Sequence, residues 1–304
     1  MSNHTQENTI VTVGVSHQAD AFQGGREAAQ AARQQMKGGP ADLVLAFGRG
    51  DFQFQDFIEG VRLVTGEDTL VGFPSAQVVS SNLKTSDASV VLLMQSSKAK
   101  LSLASFCQNG NTKVAAITSL ISQFREKRGN QSRQFKHRFL ILIDNLNNKE
   151  KNFMAQNLRF EAGLLTEMVA IKPPDLKNVP LLSQDKVVYQ GFVAIEILSN
   201  ERWGAGAINI GEFKNQKGVS AEAAKTIYRR ALSQMESKPS CGLLFSNSPA
   251  ESFSAQEWES ILQEIDSLAP GVPLVGISTG EIYIHQMDRP AFFQKDALAV
   301  LLLP

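Results

Sequence analysis

The sequence predicts an α/β protein with mixed sheets, assembled from internally repeated βαβαββ units. Three observations carry that prediction: a gapless internal match, helical stripes alternating with apolar strand runs, and a bend too short for a parallel crossover. Phe54–Val78 aligns without a gap to Trp258–Ile282. Within the match, Phe54, Phe57, Ile58 and Val61 fall on Trp258, Ile261, Leu262 and Ile265, which trace one helix face. TLVGFPSAQV then falls on PLVGISTGEI, setting Gly72 on Gly276 and Ser75 on Thr279.

The similarity continues on both sides. VTVGVS (Val11–Ser16) matches GAINIG (Gly206–Gly211), and REAAQAA matches AEAAKTI. LVLAF ending at Phe47 matches GLLF ending at Phe245, and SVVLLM matches LAVLLL. Shared order and near-constant spacing make these short matches one duplication. After Ser220 a helix buries Ala224, Ile227, Tyr228, Ala231, Leu232 and Met235. Ser254 and Glu257 form a capping box for the next helix, which ends before Pro270-Gly271. The middle, Lys100–Ser199, has the look of a degenerate third copy. Val114, Ile117, Leu120, Ile121 and Phe124 make a helical stripe, followed by the strands FLILI and GFVAIEIL. Pro173-Pro174 to Pro180 forms an irregular connection.

LVLAF, FLILI and LAVLLL are apolar without alternation, so both faces are expected to be buried. Ser278–Gly280 cannot hold a crossover, so its flanking strands form an antiparallel hairpin. These elements fit an α-β-β-α layered sandwich, with a conventional doubly wound sheet as the alternative. The domain division expected is 9–200, including the middle repeat, and 203–304.

The chain has 304 residues and zero formal net charge, which argues against a chain-wide nucleic-acid or polybasic membrane surface. Cys107 and Cys241 are too few for a disulfide framework or a cysteine zinc site. No apolar run is long enough to span a bilayer, and the N-terminus lacks the signal-peptide pattern, so a cytoplasmic location is expected. His4, His17, His137 and His285 show no metal spacing. The basic stretch from Arg125 to Arg138 is expected to be a solvated loop. There is no G-x-S-x-G elbow and no phosphate loop, so no nucleophile or base is nominated and the chain is not expected to be an enzyme.

LVGISTGEI and its partner LVGFPSAQV resemble the V-G-x-x-T-x-G-E-I signature of FIST proteins (F-box and intracellular signal transduction). The resemblance covers most of residues 9–96 and 203–304, with EAAKTIYRRAL, CGLLFS and ALAVLLLP in the same order. It implies a non-catalytic intracellular sensor. Such a protein binds a small molecule such as an amino acid and relays to a histidine kinase or second-messenger enzyme in trans. A ligand-free interaction scaffold is one alternative. A haem-based nitric-oxide sensor with an axial histidine is the other; otherwise no cofactor is expected. FEAGLLTEM replaces the family's paired-glycine motif, and Pro74, Ala76 and Gln77 depart from it in the first copy.

The ligand site expected is the bend after Gly276. There, Ser278 and Thr279 hydroxyls and free N–H groups would take a carboxylate, Gly280 would allow close approach, and Glu281 would take an ammonium. Gly72, Ser75 and Gln77 are the first copy's counterparts, and Asn247 lines the same cleft. The competing interpretation is that Ser-Thr-Gly is only a good hairpin turn and Glu281 a solvated edge charge.

Overall fold

A computed structural model describes residues 9–36, 39–75, 77–80, 88–107, 113–129, 134–144, 156–158, 166–173, 180–184, 186–189, 191–210, 219–247, 255–286, 289–293 and 296–304. Three units follow one another with the same order of strands. The first comprises β1 (Thr9–Ser16), α1 (Ala21–Gln35), β2 (Leu43–Arg49), α2 (Phe54–Thr65), β3 (Leu70–Ser75), β4 (Val78–Ser80) and β5 (Ser89–Ser96). The second comprises β6 (Ala99–Cys107), α3 (Lys113–Arg128), β7 (His137–Asp144), β8 (Thr166–Lys172), β9 (Leu181–Ser183), β10 (Lys186–Val188) and β11 (Gly191–Ser199). The third comprises β12 (Gly204–Asn209), α4 (Val219–Leu232), β13 (Cys241–Ser246), α5 (Ala255–Asp266), β14 (Leu274–Ser278), β15 (Glu281–Gln286), β16 (Arg289–Phe293) and β17 (Ala297–Leu303). The mixed α/β class and the internal repetition are as the sequence predicts, and the middle copy is as complete in its strands as the outer two.

Each unit builds a four-stranded sheet. Its last strand lies between its first and second, antiparallel to both, and its second and third core strands run parallel. Each unit also sends its short connecting strands onto a neighbour's sheet. β4 pairs with β14, β9 pairs with β3, and β15 pairs with β8. The donation is cyclic, from first to third, third to second and second to first, so the sheets form a pseudo-threefold ring.

Continuous apolar strands become two-faced once the helices are placed. Leu43, Leu45 and Phe47 of β2, Phe139, Ile141 and Ile143 of β7, and Leu243 and Phe245 of β13 enter one core shared by all three sheets. Their neighbours Val44, Ala46, Leu140, Leu142 and Leu244 face separate helix-covered clusters, one per unit. Burial on both faces is what an unbroken apolar run requires. One sequence match shifts: strand pairing sets Val15 with Ala207, through Val90 and Ala299 across Phe47 and Phe245, rather than with Ile210. A short apolar strand carries no landmark that fixes its register. The irregular connection proposed around Pro173–Pro180, the capping residue Ser254 and most of the FEAGLLTEM segment lie outside the described residues.

Candidate active site at the strand ends

The Ser-Thr-Gly bend sits where the three units meet. Ser278 N–H donates to Gln77 O (3.0 Å), Thr279 N–H to Ser246 O (2.7 Å), and Gly280 N–H to Lys172 O (2.8 Å). These three acceptors belong to the first, third and second units. The single Ser75 Oγ–H is shared between Ser278 O (2.8 Å) and Gln77 O (2.8 Å), and Ser75 is fully buried. The N–H groups of the bend, expected to receive a ligand carboxylate, therefore tie the ring together instead. Asn247 is likewise occupied, its Oδ1 accepting from Ala297 N–H at 2.7 Å. Gly72 and Gly276 lie inside strands, away from the bend. A Cβ at Gly72 would come within 2.1 Å of Ala46 O, and one at Gly276 within 2.7 Å of the Trp258 ring. The glycines of the repeated motif thus answer to packing.

The carboxyl ends of parallel strands are where open α/β sheets place their ligand crevices. Strand pairing defines an equivalent row of helix-facing positions at that end of each sheet. In the first unit the row carries Ser16, Ser89, Gly48 and Pro74. In the third it carries Ile208, Leu298, Ser246, Ser278 and then Gln77, whose Oε1 accepts from Trp258 Nε1 at 3.3 Å. In the second it carries Phe106, Phe192, Asp144, Lys172 and Glu281. Glu281 stands directly opposite Lys172 in an antiparallel pair, and both are half-buried. Residues in that relation share a face, with Cβ atoms about 5 Å apart. Ile282 and Ile171 enter the shared core, so Glu281 and Lys172 face the helix layer. The backbone register sets Asp144, the last residue of β7, beside Lys172, about 4.8 Å away across the sheet. Among the described residues the charged row occurs in this unit alone.

Lys172 and Asp144 had no sequence signal on their own. Each becomes notable only once the third unit's hairpin is known to cross onto the second unit's sheet. Further along β15, Tyr283 and His285 are buried on the same face as Glu281. Burial pushes the Tyr283 phenol up to about 12. Cys241 is buried in the shared core, where desolvation raises its thiol to about 12 and keeps it from acting as a nucleophile. No group of three or more His, Cys, Asp or Glu arranged for a metal occurs among the described residues.

The basic stretch is not a simple solvated loop. Arg128 and Arg138 are buried, and both meet Glu196, which is fully buried on β11. Arg138 Nε lies 2.7 Å from Glu196 Oε1, and Arg128 Nε lies 3.2 Å from Oε2. Arg138 Nη1 also donates to Leu158 O at 2.7 Å.

No family model matches the chain, and no curated protein matches it. Solved structures match the chain, and two of them do so over nearly its whole length. One is the crystal structure of cyanuric acid hydrolase from A. caulinodans, with TM-score 0.45 and 10% identity, covering 97% of this chain and 99% of that one. The other is described as "Cyanuric acid hydrolase: evolutionary innovation by structural concatenation", with TM-score 0.41 and 10% identity, covering 97% and 100%. Nothing among these comparisons points to a FIST domain, so the family resemblance is corrected. The expectations attached to it fall with it: a non-catalytic sensor, a ligand-free scaffold, a haem-based nitric-oxide sensor, and a histidine kinase or second-messenger partner. The matched structures are those of an enzyme, and what they act on is a property of those proteins. The physical reason for the correction lies in the bend, whose N–H groups are spent on joining units. Among the described residues no helix is long and apolar enough to cross a membrane.

Proposed function

We propose that this protein is a hydrolase acting on a small polar carbonyl compound at the carboxyl ends of β7 and β8, with Lys172 and Glu281 as its working pair. The observation that supports it is the cross-strand juxtaposition of a cation and a carboxylate, contributed by two units, at the sheet end where α/β proteins bind ligands. Glu281 takes a proton from water as the water oxygen adds to the carbonyl carbon. The Lys172 ammonium holds the oxyanion that forms. The tetrahedral intermediate then collapses, the bond to the leaving group breaks, and Glu281 returns its proton to that group. Ser75, Ser278, Thr279 and Gly280 serve as positioning residues through the bend. Two free thiols, Cys107 and Cys241, suit a cytoplasmic enzyme.

The test is turnover on a panel of small amides, imides, ureides and lactams, read as release of the new carboxylate or amine. Lys172→Met and Glu281→Gln should each lower kcat/KM about 10²–10⁴-fold while leaving the thermal melt within a few degrees. Full activity in either variant, or no turnover of any panel member by the wild type, would overturn the assignment.

A further inference from the structure

The same row, compared between units, points to a separate binding site in the first unit. The cross-strand pair nearest the helix layer is Phe106 and Phe192 in the second unit, with rings stacked at 5.5 Å, and Ile208 and Leu298 in the third. Each pair packs into the apolar cluster under its own helices. In the first unit the equivalent pair is Ser16 and Ser89. Two hydroxymethyl groups fill far less space than two phenyl rings or two branched aliphatic chains, and they are polar.

Ser16 is 2% exposed and Ser89 fully buried. Ser16 Oγ donates to Glu27 Oε2 of α1 at 2.8 Å and accepts from Gln18 N–H at 3.2 Å. Among the described residues Ser89 Oγ has no hydrogen-bond partner, although a buried hydroxyl is destabilising without one. Strand alternation turns Ser89 toward the helix layer, since Val90 enters the shared core and Val91 the helix-covered cluster. An unpartnered buried hydroxyl thus faces the helix layer at a position where the other units carry hydrocarbon side chains, beside Gly48, over which the Phe57 and Phe54 rings lie.

We propose that this place binds a protonated primary amine or ammonium group. The donor–acceptor inventory sets the class. Ser16 has already committed its proton to Glu27, so Ser16, Ser89 and the Glu27 carboxylate together offer mainly lone pairs. A group with several N–H donors and positive charge satisfies them. Glu27 is exposed and forms the way in. The Asp20 carboxylate, which caps α1 by accepting from Gln23 N–H, offsets the positive end of that helix.

The site does not depend on the hydrolase assignment, and its test reads binding alone. Melting curves of the full chain are compared in ammonium, methylammonium, sodium and potassium chlorides at equal ionic strength. The first two should raise the melting temperature by about 2 °C or more over the others. Ser89→Ala and Glu27→Gln should abolish that difference, and Ser89→Thr should keep it. Equal melting in all four salts, an equal rise with potassium or sodium, or a shift that survives Ser89→Ala would each overturn the proposal. Ser89→Val supplies the counter-check. If the place is only a packing defect, this variant melts higher than wild type and no salt distinguishes them.

Discussion

Glu196 shows how a single residue forces its surroundings. It lies in the middle of β11, whose other residues are almost all apolar, and it is wholly removed from water. A carboxylate there costs several kcal/mol unless cations meet it. Arg138 on the neighbouring strand β7 and Arg128 at the end of α3 do so. Glu196→Ala leaves two buried guanidinium groups around an empty place and should destabilise the protein by about 3–5 kcal/mol, measured as a lower urea midpoint. Glu196→Gln should cost less, because an amide oxygen still accepts from Arg138. In the sequence GFVAIEIL was legible only as a strand, and its lone acid was not singled out. Its partners lay in a stretch whose charge density resembles that of a solvated loop, and only the β7–β11 pairing brings Arg138 close to it.

Helices and strands were the more legible scale. The stripe Phe54, Phe57, Ile58, Val61 and its counterpart at Trp258 both form helices whose stripes are buried. The Ser278–Gly280 bend does separate two strands, yet those strands do not pair with each other. β14 pairs with β13 and β4, and β15 with β8 and β16. Local sequence fixes that a chain turns but not which sheet receives the next strand. Close helix contact was also hidden from pattern analysis. Gly25 and Gly60 let α1 and α2 approach until a Cβ at Gly60 would lie 2.0 Å from Phe22 O, and one at Gly25 would lie 2.1 Å from Phe57 O. Backbone atoms cannot yield as a flexible side chain can. Gly60→Ala should therefore cost about 3 kcal/mol or more despite the better helix propensity of alanine, again by denaturant unfolding.

Across the whole molecule the duplication was visible and its closure into a ring was not. Two copies were plain in the sequence, whereas the second unit conserves the strand pattern with almost no shared motif. The charged row of Asp144, Lys172 and Glu281 exists only because β15 leaves its own unit, so no amount of motif searching would have assembled it. A protease site introduced between Ser96 and Ala99 offers a check. The cut chain should elute as one particle and melt as one transition, because β4, β9 and β10 still cross between the fragments. Separation of the pieces in native buffer would contradict the interlocked arrangement.

The donated strands also set a timetable for synthesis. The amino-terminal sheet waits for β9 near residue 183 to leave the ribosome, and the central sheet waits for β15 and β16, which end at Phe293. β4, made by residue 80, has no docking edge until β14 is translated about 200 residues later. Nascent chains truncated before residue 270 should therefore present unpaired edges for a holdase to cover, and consolidation should come only once β14 to β17 have been translated.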